Sequence, residues 1–460
     1  MSKYNYTEFE QQLNTVLSHQ DRELSSIDRP SISGVNERIA ESEMILQKLG
    51  YRQQLEDLHI VGTKQTIVPQ SRKVMVVPSW ERLCQDAEQA MGTDCEIETL
   101  FSDDELSDNL RAVRQLNSEY NELHRLDKYD ISICAAAGLL GAAIDVLLVG
   151  IPHRTPDGLK GGTLSNFIRE QFDKKYPAEE MEKLANAKVS KVPYDAQDNR
   201  NTSIWVDGLS AYYHRLLSLG HDPILGLVIG VADILTGRMT TIDKTGKIVT
   251  QVIENYADRQ ESDIFEAIAK QIIHFKSDIT TSMGLPAPLM SLFNLLQFGK
   301  IGDEEQTIAE IVQGMYYEGY DFIHFCTLSI PVMIVEVVTR LGYAIKRIKE
   351  GYSVKESIPF SVDRNKHPKL GTMLFIGHSA ATAVNAGKVY FTANPMAINY
   401  PQWIAFAKYS YQQLRWVIKE KPDALDAYVN GVLYEELDTV VTSVNKTFES
   451  ASADYIVIFE

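Results

Sequence analysis

Residues Ile131–Ile151 read ISICAAAGLLGAAIDVLLVGI, and Gly220–Gly237 read GHDPILGLVIGVADILTG. Both stretches are rich in Gly, Ala and aliphatic residues, which on a helix surface let two backbones approach closely. Gly138, Gly141 and Ala142 in the first, with Gly226 and Gly230 in the second, predict tightly crossed helices in a buried bundle. The expected fold is therefore mainly α, an irregular multi-helix bundle with a minor β hairpin. Each stretch also carries ionisable groups: Asp145 in the first, and His221, Asp222 and Asp233 in the second. A charge within an apolar helix is costly unless it is paired or put to use. Those positions are where a functional site is sought.

Outward from these stretches the chain divides into three expected regions. Residues 1–128 form an N-terminal helical region, 129–300 the small-residue-rich helical core, and 301–460 a C-terminal helical region. In the first, Asn36–His59 and Ser102–Leu126 carry apolar residues at helical spacing, as in Leu106, Leu110, Val113 and Leu116. Ser102 caps the second of these helices, ahead of Asp103, Asp104 and Glu105 in its first turn. Lys73–Pro78 (KVMVVP) reads as one short strand that still needs a partner. In the core, the spacing predicts a helix over Thr163–Lys175, a helical block over Trp205–Thr236, and a hairpin turning at Lys244-Thr245-Gly246. The last third predicts further helices, with a break or kink at Pro331 and a terminal strand at Tyr455–Glu460.

The balance of 45 basic against 62 acidic residues gives a net charge of −17. A surface so negative repels phosphate backbones, so nucleic-acid binding is not expected. Four cysteines without a CxxC pair point to a reducing, cytoplasmic setting. The polar N-terminus has no signal-peptide pattern. The charge-free windows Ile279–Gly299 and Leu370–Gly387 are too interrupted or too weakly apolar to span a bilayer. A cytoplasmic protein is expected, with contact at the membrane periphery left open.

Chemistry gathers around the second stretch. Asp207, His214, Arg215, His221, Asp222 and Asp233 are the densest set of imidazoles and carboxylates, and such groups converging from helices are what a metal site in a bundle requires. His214, His221 and Asp233 are the candidate metal ligands. Asp145, His214, His221 and Asp222 form the candidate catalytic set. Asp222 also precedes Pro223, which reads as a helix N-cap. His274 and Asp278, four residues apart on a helix, face the same way, as a hydrogen-bonded pair or as two ligands. Lys160, Gly161, Gly162 and Thr163 form a Gly-rich turn opening a helix, an arrangement that would accept an anion. It lacks the P-loop order, and no GxSxG elbow is present.

HRLDKYDISICAAAGLLGAAIDVLLVGIP at 124–152, YYHRLLSLGHDPILGLVIGVADILTG at 212–237, TTIDKTGK at 240–247 and MGLPAPLMSLFNLL at 283–296 together resemble a widespread set of uncharacterised bacterial proteins. No activity comes with that resemblance; it implies that residues 124–300 belong together. A fainter likeness is to integral-membrane metal-dependent phosphohydrolases, in which an acid near an apolar segment works with an HR-x-x-x-H-type segment. Asp145 and His214-Arg215…His221 would be the matching positions.

Three functions are expected from this reading. The first is a bacterial protein acting through helix-mediated assembly with itself or a partner protein, in an accessory role such as phage defence. The second is a metal-dependent phosphoester hydrolase, which would need a divalent metal as cofactor. The third is reversible membrane association through the Gly/Ala-rich helices.

Overall fold

The computed structural model describes residues 5–26, 42, 44–45, 48, 73–93, 95–156, 158–301, 305–453 and 455–460. The chain is mainly α-helical, and its strands among the described residues form three two-stranded pairings. It folds as two compact units that differ from the three expected regions. One joins Met1–Glu122 to Asp423–Glu460, and the other is Leu123–Pro422. No division falls at residue 300.

In the first unit the expected lone strand finds its partner at the far end of the chain. Lys73–Val77 pairs in parallel with Tyr455–Phe459, Lys73 opposite Tyr455 and Val77 opposite Phe459. Arg82 closes the contact with an ion pair to Glu460 at 2.8 Å. The helix Asp103–His124 starts as the sequence predicts, Ser102 Oγ accepting the Glu105 N–H while Glu105 accepts the Ser102 N–H at 2.8 Å. The expected helix at Asn36–His59 lies outside the described residues, save helical positions at Ser42, Met44, Ile45 and Lys48.

The second unit contains both small-residue stretches. Its elements are α1 (Lys128–Ile144), β1 (His153–Thr155), β2 (Gly158–Lys160), α2 (Thr163–Lys175), α3 (Ala178–Asn186), α4 (His214–Leu217), α5 (Ile229–Thr236), β3 (Arg238–Ile242), β4 (Ile248–Val252), α6 (Ile264–Asp278), α7 (Ile308–Tyr317), α8 (Phe322–Lys349), α9 (Leu370–Thr392) and α10 (Tyr400–Arg415). Helix α1 packs between α8 and α9, and its glycines set the approach. A Cβ at Gly138 would lie 2.9 Å from Ala380 Cβ, and one at Gly141 2.6 Å from Val335 Cγ2. At both positions any side chain would force the helices apart. Helix α8 runs through Pro331 without the expected break, with Gly141 of α1 seated against the Pro331 carbonyl. Pro331 removes one ladder hydrogen bond, and the helix continues on both sides of it.

The second stretch corrects the expectation of one helical block. Trp205–Thr236 holds only the four-residue α4, two 3₁₀ turns (Leu219–His221 and Leu225–Leu227) and α5. Close approach again explains the break. Gly220 leaves room for the Tyr194 ring, 2.7 Å from where its Cβ would stand, and Gly226 faces the Gly220 carbonyl. Ser218 also leaves the helix to bridge Thr241 of β3. The β3–β4 hairpin forms at the predicted turn. Val192, Tyr194, Leu217, Ile234, Met239 and Ile253 make the core beneath it.

Among the described residues, two helical stretches are long and apolar enough to cross a membrane by length and composition, beyond what the sequence reading expected. They are Asp103–Val149, which includes α1, and Phe322–Lys349, which is α8. Asp145 lies inside the first stretch at the end of α1, where the helix widens into a π turn over Asp145–Val149.

Candidate metal centre

Five side chains missing from any diagnostic motif meet below Tyr194: Asp195, His214, His221, His274 and Asp278. They come from four different local devices. Asp195 follows the buried Val192-Pro193-Tyr194 run, His214 is the first residue of α4, and His221 closes a 3₁₀ turn. His274 and Asp278 stand one turn apart on α6, which Asp263 caps by accepting the N–H groups of Phe265 and Glu266.

The five form an alternating chain. Asp195 Oδ1 lies 3.4 Å from His214 Nε2 and 3.6 Å from His221 Nε2. Asp278 Oδ2 lies 3.9 Å from His221 Nε2 and 3.5 Å from His274 Nε2. Ligand atoms of Asp195, His221 and His274 all fall within 4.8 Å of one another. Atoms around one tetrahedral zinc ion, bonded at about 2.0–2.1 Å, are about 3.3 Å apart, so these separations suit a shared cation.

The surroundings fix how the imidazoles point. His214 Nδ1 is 3.0 Å from the Ala211 carbonyl, and His274 Nδ1 is 2.9 Å from the Ser190 carbonyl. A carbonyl can only accept, so each Nδ1 donates its proton outward and each Nε2 faces the centre. Tyr194 stands edge-on to His221 and His274, with ring centroids 5.0 and 5.5 Å away. Its hydroxyl donates to Gln271 Oε1 at 2.5 Å, and Gln271 Nε2 donates to the Gly220 carbonyl at 2.8 Å. Arg215 holds Asp278 from behind, Nη2 donating to Oδ1 at 3.1 Å, and is itself held by Thr281 and the Gly284 carbonyl.

Burial leaves a conspicuous deficit at the centre. His214 Nε2, both ring nitrogens of His221, His274 Nε2 and Asp278 Oδ2 are buried without a hydrogen-bond partner. A buried polar atom left so costs about 1–3 kcal/mol, and four of these, one from each side chain, gather in one place and call for an occupant. Burial pulls the His221 imidazole down to about 3, so it is neutral and able to ligate. Burial pushes the Asp195 carboxyl up, yet the adjoining imidazoles of His214, His221 and His274 outweigh it and hold it well below the usual range. Three imidazoles, two carboxylates and no thiolate suit a divalent first-row metal such as zinc.

A cleft of about 430 Å³ reaches the cluster, lined by Asp195, His274, Asp278, Arg215, Lys191 and Glu182 among others. That volume lies within the usual range of small-molecule sites.

Of the residues singled out from the sequence, the structure brings together His214, Arg215, His221, His274 and Asp278, and it sends Asp145, Asp222, Asp233 and the Gly-rich turn elsewhere. Asp145 pairs with Lys388 at 3.2 Å and accepts from Asn385 Nδ2 at 2.9 Å, which compensates its burial inside the helix bundle. Asp222 accepts the N–H groups of Ile224 and Leu225 in a turn between two 3₁₀ turns, not as the helix N-cap that the Asp-Pro order implied, because α5 begins only at Ile229. Asp233 accepts from Thr240 N and Thr240 Oγ1, tying α5 to β3, and burial raises its carboxyl to about 6. The turn Lys160, Gly161, Gly162 and Thr163 does not hold its donors open for an anion. Gly161 N–H donates to Asn166 and Gly162 N–H to the Val149 carbonyl. A Cβ at Gly162 would be 2.7 Å from the Val149 oxygen, so this glycine serves close backbone packing.

The i, i+4 spacing of His274 and Asp278 was the available signal for the α6 side of the centre. Asp195 had none, since its neighbourhood reads as turn chemistry. Comparison with protein-family models, with curated proteins and with solved structures finds no match to this chain.

Proposed function

We propose that this protein is a metal-dependent hydrolase of phosphoesters, with Asp195, His214, His221, His274 and Asp278 as the metal-binding set. The observation that carries this reading is the convergence of buried nitrogen and oxygen atoms without partners at the end of a cleft. A bound divalent cation would polarise a phosphoryl oxygen and supply hydroxide near neutral pH.

The remaining groups favour an anionic substrate. The two carboxylates neutralise a divalent cation, leaving Arg215 and Lys191 against Glu182 in the cleft, a net positive lining. Arg215 Nε is buried without a partner and adds a donor there. Arg215 positions Asp278 and holds a phosphoryl oxygen, while Lys191 neutralises charge in the cleft. Tyr194 and Gln271 keep the His221 and His274 rings in place.

The test is elemental analysis of the purified chain together with hydrolysis of bis-p-nitrophenyl phosphate. A bound transition metal, and turnover abolished by chelation and by His221→Ala, support the reading. A folded, metal-free protein that takes up no zinc, manganese or iron overturns it.

A further inference from the structure

The helix bundle carries an apolar exterior that the metal centre does not explain. Met333, Val337, Leu341, Ile345 and Ile348 of α8 are all exposed, in steps of four, four, four and three that place them on one face. Helix α1 runs antiparallel beside α8, since Gly141 faces Pro331 while Gly342 faces Ile133 and Lys346 reaches Asp127 and Asp130. It adds exposed Ile131, Leu139 and Leu140, and the π turn after it adds Leu147. Only 33% and 39% of the most apolar windows of these two stretches are buried, whereas a helix serving as a soluble core is mostly buried.

At the C-terminal end of α8 this face meets a basic cleft of about 670 Å³, lined by Arg347, Lys355, Lys366 and His367. The acid on its lining, Glu356, is engaged by Ser353 in a capping box. His367 is 6% exposed and its Nδ1 has no hydrogen-bond partner, nor has the buried Nε of Arg347. The Arg347 guanidinium lies 3.9 Å from the centroid of Tyr352, and Phe360, 92% exposed, stands at the rim.

We propose that α1 and α8 seat their exposed apolar faces in the acyl region of a lipid bilayer, and that the Arg347–Lys355–Lys366–His367 cleft takes the phosphate of an anionic headgroup. The stripe from Met333 to Ile348 is about 22 Å long at 1.5 Å per residue, within the roughly 30 Å of bilayer hydrocarbon. Cations and aromatic rings gathered where the stripe ends match the order of a membrane interface. A second copy of the chain would cover the apolar residues but leave the cleft without an anion. The net charge of −17 does not forbid this contact, because charges beyond a Debye length of about 8 Å are largely screened.

The full-length protein is floated with vesicles of phosphatidylcholine alone and of phosphatidylcholine mixed with phosphatidylglycerol. Wild type floats with both and binds the anionic vesicles about tenfold better. Lys355→Glu with Lys366→Glu removes that preference, and Val337→Asp with Leu341→Asp removes flotation from both. The exposed positions of all four keep circular dichroism and metal content unchanged. A wild type that stays unbound overturns the proposal, as does flotation indifferent to both pairs of substitutions. If Leu341→Asp instead turns a vesicle-indifferent oligomer into a monomer, the face belongs to self-association and the proposal also fails.

Discussion

Arg215 donates to one oxygen of Asp278 at 3.1 Å, while the other oxygen faces the imidazoles of His274 and His221. One carboxylate is thus fixed on its outer side and open on its inner side. That division is what a metal ligand needs, because ordering the carboxylate beforehand removes a cost from binding.

Metal content should follow these ligands. The purified protein is expected to hold about one divalent ion per chain, and His221→Ala and His274→Ala to lose most of it. Chelation should lower the unfolding free energy by about 3 kcal/mol at metal concentrations near a hundred times the dissociation constant. Elemental analysis and urea melts with and without chelator measure both.

Asp145 should separate from catalysis. Its partner Lys388 is nearly as buried as it is, and breaking such a pair costs about 3–5 kcal/mol. Lys388→Met should therefore lower stability by that amount in denaturant melts and leave metal bound per folded molecule unchanged. Metal loss from the folded variant would place Asp145 back in the site.

His324 supplies a pH dependence away from the metal ligands. Burial, with smaller contributions from Arg169 and Lys388, pulls its imidazole down to about 3. The unfolded chain then takes up a proton near 6.5 that the folded chain refuses. The stability from a neutral His324 is fully present above about 6.5 and is lost progressively as pH falls toward 3. His324→Phe, which keeps a ring against Tyr320, should flatten the fall in stability measured by urea melts across that window.

Gly138 tests the crossing of α1 and α9. A methyl group there meets the Gly377 carbonyl and Ala380 Cβ, so Gly138→Ala should cost about 1–3 kcal/mol. The exposed Gly431→Ala, with nothing within 4 Å of its Cβ, should be neutral or slightly stabilising. Paired melting curves decide it.

Local pattern by itself determined the helices that bury one face and start with a cap. Ser102 and the Thr163–Lys175 periodicity marked theirs, and Lys244-Thr245-Gly246 marked the hairpin, because the signals lie within a few residues of the structure they cause. The glycines of α1 announced close packing without naming the partner. Only the tertiary structure decided the rest. It paired Lys73–Val77 with Tyr455–Phe459, broke the Trp205–Thr236 block around Tyr194, and gave Asp145 to Lys388. It also brought Asp195 from a polar turn to His221. A chain pattern records which face a residue turns inward, but the partner waiting there is set by segments far away in sequence. The five side chains proposed to bind a metal are such a case: they come from three separate segments, each with an ordinary local reading, and meet only in the folded chain.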